Sequence, residues 1–146
     1  MLDRRDLEPV FFAPFVSSLM KVEPAWIDYN GHLNMAYHNV LFDRAVDEVF
    51  ELLGCGANYV KKGFSTFDFL LRFTSPARRG DLVRVKTGLL HLGSSSMRML
   101  HRMTNAVSGA PIATLEQSGV HLDLDARRPM PLPDEMRKRA QALLVR

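Results

Sequence analysis

The chain has one cysteine, Cys55, among 146 residues, so no disulfide can form within it and nothing ties it to an oxidising compartment. A small, inert hydrophobe is the plainer reading of that thiol. No apolar run approaches the roughly 18 residues of a membrane span and no basic-then-apolar leader opens the chain. A soluble, cytoplasmic protein is therefore expected, with no membrane partner. The basic residues come as scattered pairs, Lys61-Lys62, Arg78-Arg79 and Arg127-Arg128, on a net charge of +3. They build no basic face interleaved with aromatics, so nucleic acid is not an expected partner. His32 and His38 stand six apart, and His91, His101 and His121 fall on separate predicted strands. Without H-E-x-x-H or a Cys/His pairing, no metal site is expected. There is no G-x-S-x-G elbow, no phosphate loop and no dinucleotide fingerprint, which argues against a serine-triad hydrolase and against an organic cofactor.

What is present is ordinary globular composition, 47% hydrophobic and 24% charged. One domain over 1–146 is expected, with a loose terminus at 1–9. Phe11 to Glu23 reads as strand interrupted by Pro14. Met35 to Leu53 reads as a helix with Asn34 as N-cap and Gly54 just past its end. Its polar residues Asn39, Asp43, Asp47 and Glu51 form one narrow stripe, and apolar side chains from Tyr37 to Leu53 cover most of the rest. Such a helix must be wrapped by other structure. Phe67, Phe69, Leu71 and Phe73 alternate with polar neighbours, predicting a strand over 66–74 with those rings on one face. Further strands are expected over 83–89, over 97–107 with Met97, Met99, His101 and Met103 on one face, and over 112–124 after a hairpin at Ser108-Gly109. "RRPMPLP" at 127–133 is a proline-rich exit to an amphipathic helix over 134–145. Strands in a run after one long helix indicate an α+β layer fold, a meander curling around the helix.

The stretch "WIDYNGHLNMAY", residues 26–37, concentrates polar chemistry at the helix entrance. The first turn of a helix has unpaired N–H groups and a partial positive charge, which can polarise a carbonyl oxygen. Asp28 just ahead of it would lie close to a bound carbonyl, and Gly31 lets the backbone approach a ligand. Asn30 and His32 would orient a water or hold the carboxylate. Together they suit acyl transfer, with Asp28 as nucleophile or general base and helix N–H groups as oxyanion hole. The same residue types also serve capping and turn formation alone.

"D-Y-N-G-H-L-N-M-A-Y" resembles the D-x-N-G-H-x-N-x-x-Y signature of hotdog-fold acyl-CoA thioesterases, both the 4-hydroxybenzoyl-CoA thioesterase-like group and the acyl-carrier-protein thioesterases. Asp28, Asn30, Gly31, His32, Asn34 and Tyr37 fall on motif positions. "FDFLLRFTSPARRGDLVRVKTGLLHLGSSSMRM" is similar to the family's second-half pattern, so the likeness covers about residues 20 to 133. The resemblance implies an antiparallel sheet of about five strands wrapped around one central helix, paired into a homodimer or tetramer with active sites at the subunit interface. It implies an acyl-CoA or acyl-carrier-protein thioester as substrate, hydrolysed without cofactor. Asp28 takes the catalytic carboxylate's place, assisted by Asn30 and His32, with N–H groups near Gly31 to Leu33 on the carbonyl. Asn34 and Tyr37 become substrate contacts. Ser94, Ser95, Ser96 and Arg98 become contacts to the nucleotide end of coenzyme A, since hydroxyls and a guanidinium suit phosphate. A non-catalytic acyl-CoA-binding module is the alternative from another class.

Overall fold

Helix α1 spans Met35–Leu53, the bounds expected from its pattern. Asn34 is extended at ψ 140° and its Oδ1 accepts from the Ala36 N–H, closing one of the orphan donors of the first turn. At the other end Gly54 adopts φ 86° and the Cys55 N–H returns 2.9 Å to Phe50 O, a left-handed stop that a side chain would strain. The computed structural model describes residues 14–56 and 59–145, so the expected loose terminus at 1–9 lies outside the described residues.

Four long strands follow the helix: β3 (Lys62–Phe73), β4 (Leu82–Leu92), β5 (Ser96–Asn105) and β6 (Pro111–Asp123). Two-residue strands β1 (Phe15–Val16) and β2 (Met20–Lys21) sit on β4, and β7 (Arg128–Pro129) sits on β6. Every pairing is antiparallel, in the order β1-β4-β5-β6-β3. That order corrects the expected meander. β3 pairs with β6 rather than with its successor β4, so residues 74–81 cross the end of the sheet.

Side chains of Val83, Val85 and Leu89 on β4 and Met97, Met99, His101 and Met103 on β5 are buried against the helix, as their alternation requires. They meet Leu41, Phe42, Ala45, Val49 and Leu53 of α1 in two adjoining clusters. Burying a side chain such as Phe42 stabilises by about 2 kcal/mol. The wrapping stops there. Tyr37 and Leu52 of α1 stay exposed beside the polar stripe, so the described chain covers one side of the helix only.

The aromatic row of β3 is also corrected. Register shifts between Thr66 and Asp68, which leaves Phe67 as the extra residue of a β-bulge and 65% exposed. Phe69 and Phe73 keep the inward phase, opposite Gln117 and Ala113, yet remain 45% and 48% exposed because the strand overhangs the helix. The C-terminal helix α2 is shorter than expected, Asp134–Gln141. Beyond it Leu143 and Val145 bond to Leu89 of β4, exchanging a last helical turn for a buried Leu143. No helix among the described residues is long and apolar enough to cross a membrane.

Candidate active site at the helix entrance

Residues 27–33 close on themselves before the helix starts. Ile27 and Leu33 form an antiparallel bridge, the Asp28 N–H donates to His32 O (2.9 Å), and the Asn34 N–H donates to Trp26 O (2.8 Å). Gly31 turns the chain at φ 79°. Inside this loop Asp28 Oδ1 accepts from the Asn30 N–H (2.9 Å) and the His32 N–H (3.3 Å). One carboxylate oxygen therefore builds the loop, while Oδ2 accepts nothing among the described residues. The side chain still lines an open cleft of about 360 Å³ together with His32, Leu33, Met35, His38 and Phe73, with residues 74–76 closing the far wall.

Of the N–H groups expected to face a carbonyl, those of Gly31 to Leu33 are engaged and one at the helix start is open. Gly31 donates to Asp28 O, His32 to Asp28 Oδ1, and Leu33 to Ala77 O (2.7 Å). Ala36 is capped by Asn34 Oδ1 and Tyr37 donates to Asn34 O. From Gly31 to Tyr37, among the described residues, the Met35 N–H is the donor left without an acceptor in the chain. Met35 is the first helical residue and lines the cleft, where the helix end favours negative charge.

Of the four residues expected to be catalytic, Asp28 and His32 line the cleft; Asn30 and Gly31 are exposed on the loop and do not. Asn34 spends its side-chain oxygen on the cap. Tyr37 turns away from the cleft and stacks on Trp26 at 5.6 Å, with Arg44 over the other ring 5.1 Å from its centroid. Successive helical residues point about 100° apart, so only one of Tyr37 and His38 can face the cleft, and it is His38. Arg98 is engaged within its own sheet. Its guanidinium is held on the outer face of the sheet by Asp68 (2.7 Å), Glu116 (2.8 Å) and Ser118 (2.8 Å), two carboxylates against one cation. The same hydrogen bond holds the Asp68 carboxyl below the usual carboxylate range.

The turn Ser94–Ser96 lies at the opposite end of α1 from Asp28. β3 runs against the helix, with Phe64 stacked on Phe50 near its end and Phe73 against His38 at its start. Ser96 pairs with Val120, which pairs with Ser65, at the Phe64 end. A helix of 19 residues is about 28 Å long, so one chain does not bring Asp28 and this turn together. The turn is braced by Arg137 of α2, which donates to Gly93 O and Ser94 O.

Sequence reasoning missed His38 and the wall at Phe73 and Ser75. His38 had a usable signal, since a residue four after an N-cap sits directly above it. Its Nδ1 lies 3.2 Å from Asn34 O, its ring meets Phe73 edge-on at 4.8 Å, and burial lowers its pKa.

A family profile described as the thioesterase-like superfamily matches residues 22–140. The betainyl-CoA thioesterase of Pseudomonas aeruginosa is 33% identical over 125 residues, covering 84% of this chain and 79% of that one. The L-carnitine dehydrogenase/betainyl-CoA thioesterase of Rhizobium meliloti is 32% identical over 118 residues; the match takes 80% of this chain and only 24% of that longer protein. Among solved structures, a Staphylococcus aureus protein in complex with CoA superposes with a TM-score of 0.81 at 18% identity, over 87% of this chain and 81% of that one, a likeness of fold.

Proposed function

Because the chain belongs to the thioesterase-like superfamily, we propose that it hydrolyses an acyl-CoA thioester to a free carboxylic acid and coenzyme A. The observation that carries this reading is the pairing, in one cleft, of a carboxylate with one oxygen unengaged and a helix whose first N–H is unengaged. The thioester carbonyl oxygen sits on the Met35 N–H, where charge developing on it meets the helix end. Asp28 Oδ2 then serves the acyl carbon, either attacking it or holding the water that does. Oδ1, occupied by Asn30 and His32, keeps the carboxylate from rotating away.

The acyl group in this reading is short and cationic. The relative covered over most of its length is a betainyl-CoA thioesterase by name, and a betainyl group ends in a quaternary ammonium. A cleft that joins the Asp28 carboxylate to the half-exposed ring of Phe73 complements such a cation. A second copy of the chain completes the site: the Ser94–Ser96 turn, a helix length away in one protomer, reaches the nucleotide end of coenzyme A from the partner. The reading places the enzyme in the cytoplasm, in keeping with one cysteine whose thiol burial pushes up to about 11.

Release of free thiol from betainyl-, acetyl-, benzoyl- and lauroyl-CoA tests both levels. The wild type is expected to turn over betainyl-CoA fastest, and Asp28→Asn to lose at least about 100-fold in kcat with an unchanged circular dichroism spectrum. An Asp28→Asn protein with near-normal turnover removes the assignment. Tight binding of every acyl-CoA without turnover by the wild type would establish the non-catalytic module instead.

A further inference from the structure

The cleft beside Asp28 is lined by a second residue able to accept a proton. His38 Nδ1 lies 3.2 Å from Asn34 O, and a carbonyl oxygen only accepts. Nδ1 therefore carries the hydrogen, and Nε2 of the neutral ring is a bare lone pair. The residue is 4% exposed and clamped edge-on against Phe73. Nε2 is buried with no hydrogen-bond partner among the described residues. Buried polar atoms are nearly always paired, so an open acceptor on a residue that lines a ligand cleft calls for a donor that arrives with the reaction.

We propose that His38 is the general base of hydrolysis, its Nε2 taking the proton of the water that attacks the acyl carbon. This rests on the hydrolase reading above and divides its labour: Asp28 Oδ2 holds the same water by its other hydrogen. The water oxygen's electron pair forms the new bond to carbon as its proton moves to Nε2. When the tetrahedral carbon collapses, the C–S bond breaks with its electron pair on sulfur, and the proton on Nε2 passes to that sulfur. Acid, thiol and neutral imidazole result, with no metal, oxidant or reductant consumed.

The surroundings favour a neutral base. Burial opposes the imidazolium and holds His38 below the ordinary histidine value, so the ring is uncharged at neutral pH. Across the cleft the titratable groups facing it are Asp28 and His32; Phe73 of β3 and residues 74–76 supply none, and its own helix adds only the carbonyls of Asn34 and Met35. His32 is the competing base. Its ring is half-exposed and makes no hydrogen bond among the described residues, whereas His38 is fixed at Nδ1 and by Phe73.

The test compares kcat/KM against pH for wild type, His38→Gln and Asp28→Asn on the best acyl-CoA, with KM and thermal melts recorded for each. The wild type should lose activity on the acid side with a midpoint below pH 6.5. His38→Gln should keep its fold and a KM within about threefold, lose about 100-fold or more in kcat, and lose that acid limb. Turnover by His38→Gln within threefold of wild type, or persistence of the limb, overturns the proposal while leaving Asp28 in place. Should His38→Gln not fold, the His38 imidazole is titrated by NMR in the wild type: agreement with the kinetic midpoint supports the assignment, and a mismatch of more than one pH unit overturns it. A wild type inert toward every acyl-CoA removes this inference and the hydrolase reading together, whereas loss in Asp28→Asn alone removes only the role of His38.

Discussion

His101 sits on the concave face of the sheet with no exposure to solvent, its Nδ1 2.7 Å from Thr87 Oγ1 and its Nε2 3.0 Å from the Gln117 amide nitrogen. Both ring nitrogens are engaged, so the group is a closed polar island behind Phe42 with nothing left to offer a ligand. Burial lowers its pKa to about 3. The folded protein therefore binds fewer protons here than the unfolded chain, whose histidine titrates near 6.5. Stability from this residue is fully present above pH 6.5 and is lost as pH falls from there toward 3, at up to about 1.4 kcal/mol per pH unit. Urea midpoints measured from pH 7 to 4 should fall more steeply for the wild type than for His101→Gln; parallel slopes would show that His101 is protonated as easily folded as unfolded. The contrast with His38 is instructive. The two histidines are alike in burial and in the direction of their shifts. Only the partner count at each nitrogen separates a satisfied core residue from one that awaits a ligand. Asp28 was legible because an acid, a glycine and a helix start stand in one short segment. Which of its oxygens is free, and which N–H is open, depends on the Ile27–Leu33 bridge and on Ala77 from a distant loop.

At the scale of elements, α1 was readable from its pattern because its boundaries are written in local chemistry: an Asn that caps, nineteen residues without Gly or Pro, and a Gly that stops. That cap yields a prediction. Asn34→Ala frees the Ala36 N–H and should cost about 1 kcal/mol, seen as a lower urea midpoint with an unchanged slope. The backbone carbonyl that holds His38 remains in the variant, so kcat should change far less than stability; a loss of activity comparable to that of Asp28→Asn would instead make the Asn34 side chain a substrate contact. Strands β4 and β5 were equally legible from alternation. β3 was not, because its period breaks at the Phe67 bulge, and a two-residue repeat read across a bulge assigns one side chain to the wrong side. The short strands β1, β2 and β7 carry too few residues for any period, and their place comes from β4 and β6. The ion pairs of Arg98 were not legible for a related reason: the carboxylates that hold it stand on β3 and β6, 30 and 18 residues away in the chain.

Among the described residues, the β3 edge of the sheet is unpaired along its length. β3 is the terminal strand of the order, twelve residues long, and carries Phe67, Phe69 and Phe73 substantially exposed. Long, apolar edges are normally blunted or covered. A second copy meeting this edge about a two-fold axis would pair the two β3 strands and bury both aromatic rows. Because β3 runs against α1, the same axis carries the Phe64 end of one protomer, with its Ser94–Ser96 turn, toward the Phe73 end of the other, where the cleft lies. Light scattering should then give about twice the 16.5 kDa chain mass for the wild type and the chain mass for Phe67→Glu/Phe69→Lys, with thioesterase activity lost alongside dimerisation. Subunit mixing tests the geometry itself. Asp28→Asn removes the helix-entrance half of a site, and Ser94→Asp/Ser95→Asp sets two carboxylates against the phosphates of coenzyme A in the other half. Each variant alone should be nearly inactive. After co-refolding, a mixed dimer combines the intact Asp28 of one protomer with the intact turn of the other and regains one working site. Activity that reappears on mixing requires a site built from two chains; no recovery, in a dimer shown to have exchanged subunits, confines the site to one.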